Sequence, residues 1–492
     1  MMSFGLLIRT VINLKPRQII YQVKNRLVKA RYVSLPAPVV KGCGLKTEPI
    51  PRYKGLEGDR FTFLNQEHVF AGWNFTENGM LWAYNQNYFD WLNQEGMTAE
   101  NGSKWIDIFI EELPSNKVGL DPYPIALRSI NWIKFFCRFP ETATKERLNS
   151  LYSQVRLLEK KLEYHLLANH LLEDAYALYI AAAYFCDERL LKKAKELLLS
   201  QLKEQVLPDG AHYEQSPMYH CILLDRLLDC INIGERMAVN GADLRKYASR
   251  MLGHLESIVW SDESIPLLND AAYGIAPMPE EIFDYARRLD IRWKAIPMKE
   301  CGYRKVKSEH VEAIVDVGNI TATYQPGHTH ADTFNYELRI DGKPYVVDTG
   351  ISTYNKTERR QYERSTMAHN CVVVQDRDSS EVWGGFRVGR RARVSGFQSG
   401  VNGFGAWHDG YREPCRRYFE MKDVIFTVED RYDGEAVSYI HLAEGADESR
   451  ITIEGAREIE IKPCKYATAY NLFHDGKVLA MHFNGKLKYT IR

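Results

Sequence analysis

The chain has 492 residues, enough for two or more domains, and 45% of them are hydrophobic, which supports a substantial core and excludes global disorder. Lys+Arg and Asp+Glu both number 64, so the formal net charge is zero; that balance excludes a general nucleic-acid binder but not a local basic cleft for an acidic substrate. Nine cysteines are scattered with no CxxC pair, which gives no support to thiolate zinc or thioredoxin chemistry and fits a reducing compartment.

The first stretch, MMSFGLLIRTVINLKPRQIIYQVKNRLVKARY, is apolar but interrupted by Arg9 and followed by Lys15, Arg17, Lys24, Arg26, Lys29 and Arg31. No cleavable signal is evident in it, and no run approaches the ~20 apolar residues of a membrane span. It predicts one or two basic amphipathic helices around Pro16, which either touch an anionic membrane surface or pack on the following domain. A cytoplasmic location is the expectation, with periplasmic and membrane-associated settings left open.

Helical periodicity dominates next. ENGMLWAYNQNYFDWLNQEG (77–96) predicts a helix with a heavy aromatic face. The stretches 148–185, 187–206, 218–239 and 242–260 carry apolar residues at three- and four-residue spacing. Helices joined by short polar links, with no strand pattern between them, predict a layered all-α domain. Beyond about residue 310 the period becomes two. Runs such as VEAIVDVGNITATYQ and FNYELRIDGKPYVVDTG are separated by turn dipeptides including Asp341-Gly342, Asp433-Gly434 and Asn484-Gly485. Several short strands at this spacing predict an antiparallel β-sandwich. The expected division is a helical domain over 1–305 and a β-sandwich over 306–492.

Three constellations carry possible chemistry. In ANHLLEDAYAL, Asn169, His170 and Glu173 share one face of a predicted helix. They form either a helix-to-helix hydrogen-bond network or a working site. In PDGAHYEQSPMYH, a Pro-Asp-Gly turn ends one helix and Ser216-Pro217 starts the next, with Tyr219 one turn in. A polar surface loop or a cleft wall fits equally. In QPGHTHADTFNYELRIDGKPYVVDTG, His328 and His330 are two apart and so face one side of an extended strand, with Asp348 at the far end of the next one. His369 follows in STMAHN, and histidine and carboxylate from neighbouring strands suit zinc. The polar stretch YNKTERRQYERSTMAHN, with Tyr354 and Arg364, suits an anionic ligand or a solvated loop.

Taken together, NHLLED, DGAHYEQSPMYH, GHTHADTFNYELRIDGKPYVVDTG and RSTMAHNCVVV…EVWGGFRVGRRARV resemble, in order, the motifs of heparinase II/III-like polysaccharide lyases. LWAYNQNYFDWL and LRSINWI upstream resemble them too. The resemblance implies an N-terminal (α/α) toroid followed by a C-terminal antiparallel β-sandwich, with the substrate cleft between. It implies β-elimination at a uronic acid in a glycosaminoglycan-like polymer or bacterial exopolysaccharide, leaving an unsaturated uronate end. An anionic polysaccharide or oligosaccharide is then the partner. By the same resemblance Asn169 and His170 contact the uronate carboxylate, Tyr219 donates a proton to the leaving oxygen and could also be the base, and His330 acts as base or supports it. Trp132, Tyr354 and Arg364 are the expected substrate contacts, with Glu173 either orienting His170 or touching the sugar. One structural zinc on His330, Asp348 and His369 is implied, and no organic cofactor. The alternatives are a non-catalytic uronate-binding protein on the same fold, and a glycoside hydrolase using Asp209 and Glu214.

Overall fold

The structure is a computed structural model that describes residues 4–40, 44–236 and 241–492. Its first half is helical: α1 (Phe4–Val11), α2 (Pro16–Leu27), α3 (Met80–Tyr88), α4 (Ala99–Glu112), α5 (Pro122–Arg138), α6 (Lys145–Lys161), α7 (Ala168–Tyr184), α8 (Glu188–Gln205), α9 (Pro217–Arg236), α10 (Ala242–Ile258) and α11 (Pro279–Arg288). The chain itself writes the starts. Thr98, Thr144 and Asp187 cap α4, α6 and α8 through their side-chain oxygens, and α2, α5, α9 and α11 begin on a proline that has no N–H to leave unpaired. Residues 237–239 of the expected helix over 218–239 lie outside the described residues.

Sixteen of the seventeen residues of α7 are buried; His170 is the exception. A helix that is apolar nearly all round belongs at the centre, and α7 packs against α5, α6, α8 and α9. A three-stranded sheet, β1 (Leu56–Glu57), β2 (Arg60–Phe63) and β3 (Gln66–Val69), interrupts the helical half. Strands of two to four residues give too short an alternation to be read from sequence. Leu64 and Asn65, both at positive φ, close its hairpin in the sense that matches strand twist.

The second half holds β4 (Tyr303–Lys307), β5 (Val311–Asp316), β6 (Tyr336–Ile340), β7 (Lys343–Val346), the short helix α12 (Glu358–Glu363), β8 (Val372–Val373), β9 (Val382–Trp383), β10 (Arg387–Val388), β11 (Val394–Ser399), β12 (Gly403–His408), β13 (Cys415–Lys422), β14 (Ile425–Leu442), β15 (Ile451–Ala469) and β16 (Leu472–Ile491). Apart from the β9–β10 pair, these strands form one eleven-stranded sheet, with the path β11-β12-β13-β14-β7-β6-β5-β4. The long β14 also pairs with β16 and β8, so it serves both layers, and Leu338, Phe419, Val428, Met481 and Tyr489 fill the space between them. The architecture is the expected one, helices and then an antiparallel β-sandwich. Asp433-Gly434 and Asn484-Gly485, expected as turns, instead lie opposite each other inside β14 and β16, where the pairing only shifts register, and one expected strand ends early. The run over 311–325 stops at Asp316 and residues 317–335 are loop, because the chain there leaves the sheet to reach the helical half through Gly318, Pro326 and Gly327.

The two halves are joined by polar contacts. Gln215 donates to the Cys301 carbonyl at 2.7 Å, and the Tyr303 hydroxyl donates to the Gln215 carbonyl at 2.5 Å. The His330 amide donates to Asn269 at 3.0 Å.

Candidate active site

A cleft of about 770 Å³ lies between the halves, and Asn169, His170, Glu214, Tyr219, His328 and Tyr354 all line it. Asn169 and His170 come from the first turn of α7. The turn before them holds Leu167 and Ala168 at φ 63° and 55°, a conformation costing of order 1–3 kcal/mol per residue that surrounding structure must hold in place. The Asn169 amide donates to Glu214 at 2.9 Å, which ties this turn to the 208–217 loop. That loop turns at Gly210, where φ is 84° and any Cβ would collide with the Arg250 carbonyl. It then delivers Ser216, whose hydroxyl accepts from the Tyr219 amide at 3.3 Å and donates to the Asp270 carbonyl at 2.7 Å. Tyr219 is thereby fixed on the first turn of α9.

The Tyr219 and His328 rings stack with centroids 3.9 Å apart. Tyr219 Oη lies 3.3 Å from Tyr354 Oη, which lies 3.3 Å from His328 Nδ1. Beneath them sits Asp270. One carboxylate receives His328 Nδ1 at 2.9 Å, His330 Nε2 at 2.8 Å, and both terminal nitrogens of Arg360 at 2.6 and 2.8 Å. Burial opposes its charge, but Arg360 and the two histidines outweigh burial and hold Asp270 well below the usual carboxylate range. Burial pushes the Tyr219 phenol well above its ordinary value, so it carries its proton at neutrality. His170 moves the other way from most buried histidines. Desolvation lowers its pKa, yet Glu163, 3.0 Å from Nδ1, wins and raises it.

The expected site residues separate into two groups. Asn169, His170, Tyr219 and Tyr354 are in the cleft. His330 is not: it is 1% exposed, with Nε2 on Asp270, and its neighbour two residues back faces the tyrosine instead. Both histidines do point one way, towards Asp270, but from a loop rather than a strand. Trp132 is fully buried among Phe89, Phe109 and Phe136, so it is a core residue and not a sugar contact. Glu173 lies beneath the cleft, pushed up to about 7 by burial against the pull of Arg226, and it is Glu163 that orients His170. Arg364 is buried too; it donates to the Thr329 carbonyl at 2.8 Å and fixes the loop between the two histidines. Asp209, the other acid expected of a hydrolase, accepts the Lys299 and Cys301 amides at 2.9 Å each and does not line the cleft.

His369 Nδ1 lies 2.8 Å from Asp348, and its ring is 5.2 Å from that of His330. His330 Nδ1, His369 Nε2 and Asp332 Oδ2 are buried without partners, and burial lowers His330 to about 4, so it is neutral. Two free imidazole nitrogens and the Asp332 carboxylate have the chemistry of a zinc donor set, whereas Asp348, the expected third ligand, already accepts from His369 Nδ1 and the Asn335 amide. A second buried group, Asp209, His254 and Cys301, already has its donor atoms within 4.8 Å of one another and can hold a metal.

Asp270, Arg360, Glu163 and the cleft role of His328 escaped the sequence reading. Asp270 is 58 residues before His328 in a stretch with no motif of its own, and Arg360, although inside the polar YNKTERRQYERSTMAHN stretch, is 90 residues after Asp270, so its role as the partner of Asp270 was not legible.

Helices followed by an antiparallel sandwich, with a cleft of tyrosine, histidine and asparagine between them, define a toroid-and-sandwich polysaccharide-lyase architecture. The solved heparan sulfate lyase HepC from Pedobacter heparinus shares it, with a TM-score of 0.54 and 14% identity over 96% of this chain and 87% of that one. A solved heparinase III gives a TM-score of 0.60 at 12% identity, covering 86% of this chain and 79% of that one. A heparin-sulfate lyase of Pedobacter heparinus is 24% identical over 265 residues, which is 47% of this chain but only 40% of that relative's length. Residues 127–288 match the heparinase II/III N-terminus and residues 290–464 the heparinase II/III-like C-terminal region. The chain belongs to the heparinase II/III-like family of polysaccharide lyases.

Proposed function

We propose that this chain cleaves a uronic-acid-containing polysaccharide, glycosaminoglycan-like or a bacterial exopolysaccharide, by β-elimination. The observation that carries the reading is the stacked Tyr219–His328 pair, which puts a protonated phenol and an imidazole side by side in the cleft that also holds Asn169 and His170. The proton next to a uronate carboxylate is weakly acidic. Neutralising that carboxylate lets the carbanion resemble an enolate, and the Asn169 amide and the His170 imidazolium supply the neutralising contacts. Asp270 accepts a hydrogen bond from His328 Nδ1–H, and Nε2, which faces Glu214 at 3.4 Å, takes the sugar proton. The C–H electrons form the new C=C bond, the glycosidic C–O bond breaks, and the Tyr219 phenol protonates the departing oxygen. Positioned proton transfer of this kind is worth roughly 10²–10⁴-fold. His328 thus takes the part that the sequence resemblance gave to His330. A zinc ion held by His330 and His369, with Asp332 or the expected Asp348 as the carboxylate ligand, would supply a fixed positive charge under this loop.

The hydrolase alternative pairs Asp209 with Glu214, but Asp209 is engaged elsewhere, and Asp90, the other carboxylate lining the cleft, is tied to Asn131 and Arg226. Purified protein incubated with a panel of uronate polysaccharides tests the proposal through the ultraviolet absorbance of the unsaturated product. Absorbance should rise on at least one polymer and fall roughly 10²–10⁴-fold in Tyr219→Phe. New reducing ends without absorbance would mean hydrolysis, and binding without cleavage would mean a non-catalytic protein. Elemental analysis of the same preparation, with His369→Ala beside it, should find one zinc that the variant loses.

A further inference from the structure

The two N-terminal helices are packed inside out. Their polar residues face the body of the protein: Arg9 pairs with Glu381, Thr10 accepts from the Trp383 indole, Gln18 donates to the Leu166 carbonyl and Asn25 meets His165. The opposite face of α1 carries Phe4 and Ile8, 77% and 46% exposed. That of α2 carries Ile19, Ile20, Val23 and Leu27, at 42%, 61%, 53% and 79%. Residues 19, 23 and 27 follow one another at four-residue steps and so form a single line. A helix resting on a globular body ordinarily turns such a stripe inward.

Charge adds a second, independent feature. No Asp or Glu occurs before Glu48, while nine Lys and Arg do, in a chain whose total charge is zero. Arg26, Lys29 and Arg31 are exposed beside the stripe. We propose that residues 4–33 are a docking surface for an anionic phospholipid bilayer. Aliphatic side chains enter the boundary between headgroups and acyl chains while the flanking cations meet lipid phosphates, which is how interfacial helices bind. A second copy of the chain fits this face poorly, because dimerisation would bring two acid-free segments together. A soluble anionic polymer would use the cations and leave the aliphatic stripe uncovered.

Cosedimentation of the full chain with vesicles tests the assignment. The protein should sediment with phosphatidylcholine vesicles containing phosphatidylglycerol and much less with phosphatidylcholine alone. Ile20→Asp/Leu27→Asp should weaken binding at least about tenfold with an unchanged thermal midpoint, since both side chains are exposed. Arg26→Glu/Lys29→Glu should lose binding to the anionic vesicles selectively. The proposal is overturned if the parent stays in the supernatant at low salt, or if the aspartate variant sediments as the parent does. It is equally overturned if the parent is a dimer that the aspartate variant splits. None of these residues lines the cleft, so the outcome is independent of whether the lyase reading stands.

Discussion

At the residue scale the site is set by which partner each ionisable group finds. His170 shows this best, because burial alone would keep it neutral and Glu163 reverses that. The raised pKa means more of the imidazolium persists at neutral pH than for a free histidine, and it is lost as pH rises through the raised value. KM for an anionic substrate should therefore climb with alkaline pH, by roughly tenfold once a charge-assisted contact is gone. Glu163→Gln should move that climb to lower pH, and His170→Gln should abolish it; a KM profile identical in all three proteins would rule the role out. Sequence alone made Asn169, His170 and Tyr219 legible, since they sit in motifs that resemble a known family. It could not tell His328 from His330, because spacing two residues apart says only that both point the same way. The difference is made by Tyr219 and Tyr354, which meet His328 and are remote from it in sequence.

At the scale of elements, backbone strain gathers where the site is built. Leu167, Ala168, Gln215 and Asn269 all have positive φ, and they immediately precede or flank Asn169, Tyr219 and Asp270. Asn269 bears most of this: its amide group donates to the Gln215 carbonyl and receives from the His330 amide, and the Tyr303 hydroxyl is 3.0 Å away. Asn269→Ala should lose about 1–2 kcal/mol from the left-handed backbone. About 1 kcal/mol more goes with each lost hydrogen bond. A fall in urea midpoint without a change in slope would show this; an unchanged midpoint would contradict it. Period and caps made the long helices and strands readable. Residues 317–325 alternate like a strand yet are loop, and what pulls them off the sheet is contact with the other half of the molecule, as where Thr321 meets the Tyr213 carbonyl and Gln215.

For the whole molecule, the change from helical to alternating pattern announced the fold class, but nothing in that pattern says how the halves are held. Asp270 follows α10 on the helical side, and Arg360 lies on α12 on the other; both are fully buried. Asp270→Asn would leave the Arg360 charge without its counterion, a loss of about 3–5 kcal/mol. Far-ultraviolet signals from helix and from strand should unfold together in the parent and separate in the variant. Coincident transitions in both proteins would mean the ion pair does not couple the halves.

The N-terminal segment also crosses from one half to the other. α1 is fastened to the sandwich at Glu381 and Trp383, and α2 to the helical half at Leu166 and His165. Leu166 is itself a rim residue of the cleft. Mechanically this is a strap between the two halves: along that edge they cannot part unless Arg9 or Gln18 lets go.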